Sequence, residues 1–94
     1  MDYAKMDCKD RIYHTLNRHN EKLTASEICD KFTAITGLFM NYSHSCIERR
    51  LREMREAGYK NDMGKTIFLA SRLRPGTNYM EFFIASDDKQ EELF

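Results

Sequence analysis

An α+β domain of three helices followed by a C-terminal β-hairpin is predicted by three observations on this 94-residue sequence. Apolar residues recur at helical spacing in three successive segments that end by Gly58. From Thr66 onward the apolar period changes to two. A Pro75-Gly76 pair then separates two runs rich in β-branched and aromatic residues. The length suits one compact core. With 41% hydrophobic and 32% charged residues, four Gly and one Pro, the composition fits neither a disordered chain nor a fibrous repeat.

The first helix is expected from about Lys5 to Asn20, with Cys8, Ile12, Leu16 and His19 on one face and Tyr13 beside them. Lys9, Arg11 and Arg18 face elsewhere. Leu23, alone between polar neighbours, reads as a short extended link. Thr24-Ala25-Ser26-Glu27 is a capping box: the Thr24 hydroxyl can accept from the Glu27 amide while the Glu27 carboxylate reaches back. The second helix then turns Ala25, Ile28, Cys29, Phe32 and Ile35 to one side, and Gly37 ends it or lies just beyond. Leu38 to Tyr42 is a loop with an apolar interior. Ser43 or Ser45 caps the third helix, and Ser45-Cys46-Ile47-Glu48 repeats the capping-box pattern. This helix buries Ile47, Leu51 and Met54, turns Ser45, Arg49, Arg52, Glu53 and Glu56 outward, and stops at Gly58.

Thr66 to Leu73 reads as one strand, Arg74 to Asn78 as a turn, and Tyr79 to Ile84 as the returning strand. An isolated hairpin is marginal in water, so its apolar face must lie against the helices. The domain is expected to span residues 1–86, with 87–94 a short acidic tail.

Net charge is zero, from 15 basic and 15 acidic residues, but the charges are unevenly distributed. Residues 42–75 hold eight basic against four acidic side chains, while residues 76–94 hold one against five. A basic middle and an acidic end cancel, and a binding face depends on local potential rather than on the sum. No apolar run approaches the ~20 residues of a membrane span, and no charged start followed by an apolar run marks a secretory signal. The expected location is therefore cytoplasmic, with no membrane partner. Cys8, Cys29 and Cys46 form no CxxC pair, which suggests neither a zinc ribbon nor a disulfide scaffold.

The order helix, short strand, helix, helix, hairpin resembles winged helix-turn-helix DNA-binding domains, over about residues 8–85. The residues that carry this resemblance are Thr-Ala-Ser-Glu-Ile at the second helix and Ile-Glu-Arg-Arg-Leu-Arg-Glu-Met-Arg-Glu-Ala-Gly in the third. It implies a three-helix winged helix-turn-helix fold whose third helix reads duplex DNA and whose hairpin is the wing. Ser45 to Tyr59 looks most like the family's recognition helix and the start of its wing. One departure is the stretch from Phe32 to Ser43, longer than the three- or four-residue turn that usually joins the second and third helices.

By that resemblance, Tyr42, His44, Ser45, Arg49 and Arg52 would meet base edges in the major groove, where arginine can bond guanine O6 and N7 together. The bland reading of the same helix is a ladder of i,i+4 pairs, Glu48–Arg52, Arg49–Glu53 and Arg52–Glu56. Arg72 and Arg74 flank the Pro75-Gly76 turn and would meet phosphates or the minor groove, or else belong to an ordinary solvated turn. Lys60, and with it Lys65, would touch phosphates or simply be solvated. Phe68, Tyr79, Phe82 and Phe83 could stack on single-stranded bases, although core packing is the commoner role. An exposed Tyr79 and Phe83 would instead mark a protein interface.

No catalytic constellation is found. His14, His19 and His44 lie at no metal-ligand spacing, Gly58 and Gly64 are isolated, and His44 and Cys46 are two apart on a helix and do not face each other. The expectation is a non-enzyme without cofactor or metal that binds double-stranded DNA as a small prokaryotic or phage transcriptional regulator. So few basic residues imply a homodimer or protein partner. The alternative is a protein–protein interaction module, an adaptor or inhibitor, built on the same fold and not binding DNA.

Overall fold

A computed structural model of the chain describes residues 3–19 and 21–85, with the side chain of His19 left out. The elements are α1 (Cys8–His19), α2 (Ala25–Thr36), α3 (His44–Glu56), β1 (Tyr59–Lys60), β2 (Thr66–Ile67), β3 (Leu69–Leu73) and β4 (Met80–Ile84). This is a small α+β fold consistent with a winged-helix layout.

A 3-10 turn, Tyr3–Lys5, precedes α1, which starts three residues later than its apolar pattern suggests. Asp7 sets that start: its carboxylate accepts from the Asp10 amide at 2.9 Å, and the Asp10 carboxylate accepts from the Asp7 amide at 3.3 Å. The same reciprocal arrangement, with Thr24 and Glu27, opens α2. Gly37, at φ 76°, caps its end with the amide bonded to the Thr33 carbonyl. At α3 the cap is Ser43, whose hydroxyl accepts from the Cys46 amide at 3.2 Å. The box expected from Ser45 does not form, because Ser45 already lies inside the helix. Glu48 lies near His44 instead, at 3.6 Å. The helix ends at Glu56, before Gly58, where φ is 85° and a Cβ would stand 2.7 Å from the Thr66 methyl.

Ile12, Leu16, Leu23, Ile28, Phe32, Met40, Ile47, Leu51, Met54 and Leu69 form one core, joined by Cys8 and Ala25. The main hairpin pairs Leu69 with Ile84, Ser71 with Phe82 and Leu73 with Met80. Those pairs share one face of the pleat. Near the helices Leu69, Phe82 and Ile84 pack into the core, whereas toward the turn Leu73 and Met80 remain exposed. Leu23 bridges the free side of β4 through two hydrogen bonds with Phe82, at 3.0 and 2.7 Å, as its extended reading requires.

Two expectations are corrected. The single strand from Thr66 to Leu73 is broken at Phe68: Thr66 and Ile67 pair with β1 in a separate small hairpin, and β3 pairs with β4. Phe68 is the crossover, its carbonyl accepting from Ala85 at 3.0 Å. Phe83, whose exposure beside Tyr79 would have marked an interface, is half-buried with the Lys22 ammonium 5.2 Å from its ring centre. The proposed tail, 87–94, lies outside the described residues.

Arg11 is the largest departure. Placed away from the core by its helical position, it is buried, 7% exposed. Its guanidinium donates to the carbonyls of Met6 (3.1 Å), Phe39 (3.0 Å), Met40 (2.8 Å) and Ala4 (3.5 Å). It also lies 5.1 Å from the Phe32 ring centre and 5.6 Å from that of Tyr42. A buried cation is tolerated when its donors find acceptors, as four of the five N–H groups do here. Here they hold the long α2–α3 connection, including Met40 and the left-handed Asn41 (φ 62°), against α1.

Replacing Arg11 by Met should destabilise the protein by about 3 kcal/mol in urea unfolding, since each carbonyl stranded in the interior costs ~1–3 kcal/mol. A shift within experimental error would show that the connection is held by packing alone. Ser43→Ala should cost about 1 kcal/mol as a lost cap. Ser45→Ala should stay within about 0.5 kcal/mol of the parent.

Candidate nucleic-acid interface

With Ile47, Leu51 and Met54 inward, the remaining positions of α3 divide into three stripes. The flank toward α1 carries Cys46, Arg50 and Glu53; Arg50 donates to both Glu53 oxygens at 2.6 and 2.7 Å, and Lys9 of α1 reaches Glu53 at 3.2 Å. The flank toward the hairpin carries His44, Glu48 and Arg55, whose guanidinium donates to the Ser71 hydroxyl at 2.9 Å. Between them, directed away from the core, lie Ser45, Arg49, Arg52 and Glu56, all exposed. Among the described residues neither Arg49 nor Arg52 forms an ion pair or a hydrogen bond, so the expected i,i+4 ladder is not made.

The hairpin arginines have partners. Arg74 donates to Glu27 through two nitrogens, one contact at 3.1 Å, and to Glu81 at 2.8 Å; Arg72 donates to Glu81 at 3.2 Å. Glu81 is 5% exposed, a buried carboxylate between two guanidinium groups. Hydrogen bonds from Arg74 and from the Thr24 amide hold the Glu27 carboxyl below its usual range, and those from Arg74 and Arg72 hold Glu81 down against its desolvation. The pair Arg72 and Arg74, expected to present charge at the wing tip, is therefore neutralised by the fold. Arg74 in particular joins the N-terminus of α2 to the hairpin.

Between the starts of α2 and α3 and the hairpin runs an open groove of about 520 Å³, lined among others by Glu27, His44, Glu48, Arg74, Tyr79 and Phe82. The groove thus brings together two of the residues singled out from sequence, His44 and Arg74. Tyr42 lies against the Arg11 guanidinium in the connection before α3, and Lys60 is exposed on β1 in the small hairpin. The residues missed were Glu27, read only as a cap, and Glu81. A signal for Glu81 was present: a turn centred on Pro75-Gly76-Thr77-Asn78 places Arg72 directly opposite it.

Among the described residues no group of three or more His, Cys, Asp or Glu side chains could hold a metal ion. No helix among them is long and apolar enough to cross a membrane. No protein-family model, curated protein or solved structure matches the chain.

Because Glu27 and Glu81 ionise more readily folded than unfolded, their contribution to stability is complete above their ordinary value of 4.5 and is lost as pH falls below it. Thermal melting followed from neutral pH into acid should show that loss, and Arg74→Met should flatten it. Parallel acid curves for the parent and the variant would mean that Arg74 contributes nothing through these carboxylates.

Proposed function

We propose that the chain binds duplex DNA through the outward stripe of α3, as a small winged-helix protein acting in transcriptional control. One observation carries the reading. Of the six arginines between residues 42 and 75, Arg50, Arg55, Arg72 and Arg74 are bonded within the protein, and Arg49 and Arg52 are left side by side facing solvent. An α-helix fits the major groove, and guanidinium groups there can bond guanine edges or phosphates. Ser45 adds a hydroxyl at the end of the helix from which such readers project. Lys60 supplies a further cation for the backbone. The hairpin then contributes shape more than charge. Two free arginines and a lysine make a weak module, so a second copy or a protein partner would supply useful affinity.

A second reading has its own support. Leu73, Tyr79 and Met80 are 58%, 65% and 39% exposed around the turn end of the hairpin. An apolar group of this kind suits an interaction module that contacts protein.

Binding to a labelled random-sequence duplex, followed by fluorescence anisotropy, separates the two. Affinity should fall as salt rises from ~50 to ~200 mM, and the double change R49A/R52A should lower the slope of log affinity against log salt by about 2. Arg72→Ala should leave the slope where it was. Absence of salt-sensitive binding at low ionic strength, with R49A/R52A folded as judged by circular dichroism, would eliminate the DNA reading and favour the protein partner.

A further inference from the structure

Three thiols are free, and two of them meet. Cys8 opens α1 and is buried; Cys46, in the first turn of α3, is half-buried. Cys46 stands near enough to Cys8 to help hold the proton on its thiol, and Arg50 follows Cys46 by one turn of α3. Both cysteines line an open depression of about 340 Å³ with Asp7, Lys9, Tyr42 and Arg50. Cys29, on α2, is not part of it.

We propose that Cys8 and Cys46 are a reversible dithiol–disulfide pair, oxidised by small-molecule disulfides, that ties the start of α1 to the first turn of α3. A buried cysteine normally packs as a small hydrophobe, which accounts for Cys29. It does not account for two thiols from elements far apart in sequence sharing one solvent-accessible depression. A disulfide needs side chains that share one small space, and these two line the same depression.

The depression also sets the order of events. Cys46 is the sulfur that an incoming molecule can reach. Burial, first of all, pushes the Cys8 thiol up to about 12, so it holds its proton until late. Cys46, once ionised, attacks one sulfur of a disulfide RSSR; a Cys46–SR bond forms and RS⁻ leaves. That thiolate takes the Cys8 proton. The Cys8 sulfur then attacks the Cys46 sulfur and expels the second RS⁻, which takes up the proton that Cys46 released. Two protein thiols are oxidised to one disulfide, and RSSR is reduced to two RSH. The closed loop contains the whole of α2, so oxidation clamps the helix that carries Arg49 and Arg52 onto α1. The pair stands whether or not α3 binds DNA.

The test uses the folded full chain and oxidised glutathione. After incubation, remaining thiols are alkylated and the protein is analysed by intact mass and peptide mapping. The expected product has lost two hydrogens, joins the Cys8 and Cys46 peptides, carries alkylated Cys29, and reverts with dithiothreitol. Cys29→Ser should give the same bond. A bond through Cys29, a glutathione adduct that persists on Cys46, or three alkylated thiols would overturn the proposal.

Discussion

The guanidinium of Arg74 sits between two carboxylates from different parts of the chain, and the arrangement of the hairpin depends on it. Glu27 belongs to the capping box that starts α2, and Glu81 is buried in β4. Buried Glu81 would be costly where it stands without a cation, and Arg74 would be an idle surface charge without the two carboxylates. The contact therefore fixes the hairpin relative to α2 and settles where the molecule keeps its positive potential. The hairpin, which the basic count of the middle segment favours as a cationic grip, is locally neutral. Of the arginines of α3 and the hairpin, those left without a partner among the described residues are Arg49 and Arg52 on the outward stripe of α3.

Arg11 plays the corresponding part on the other side of the helical layer. The connection between α2 and α3 is long, and the carbonyls of Phe39 and Met40 within it turn toward α1. One buried guanidinium collects the carbonyls of Phe39 and Met40 together with those of Ala4 and Met6. The connection thus becomes a strap laid over α1 rather than a floppy turn. Ser43 can then cap α3, which aligns Ile47, Leu51 and Met54 with the core and leaves Arg49 and Arg52 on the far side. In both places a charge that reads as surface decoration ties together parts of the chain that are distant in sequence.

Much of the architecture was legible in the sequence because it follows from local rules. The capping box at Thr24, the glycine stop at Gly37, the buried face of α3 and the Pro75-Gly76 turn each depend on residues within a few positions of one another. Errors came where a distant partner decided the outcome. Helical periodicity turned Arg11 away from the core, since nothing local shows that carbonyls some thirty residues away need donors. Of the two caps offered for α3, Ser43 and Ser45, it is Ser43 that serves. The strand through Phe68 looked continuous because Ile67 to Ala70 is one uninterrupted apolar run, whereas its pairing changes partner at that residue. The outward stripe of α3 was legible as a stripe. That Arg49 and Arg52 would be its uncommitted members, with Arg50 and Arg55 engaged, required the neighbours on α1 and β3.

The division between structural and available arginines is most directly tested by NMR of the arginine Nε–H groups during titration with duplex DNA at low salt. If the division is right, the Arg49 and Arg52 resonances move with DNA concentration while those of Arg11 and Arg74 stay still. Movement of Arg74 and Arg72 with Arg49 and Arg52 unchanged would contradict it, and would return the cationic surface to the hairpin.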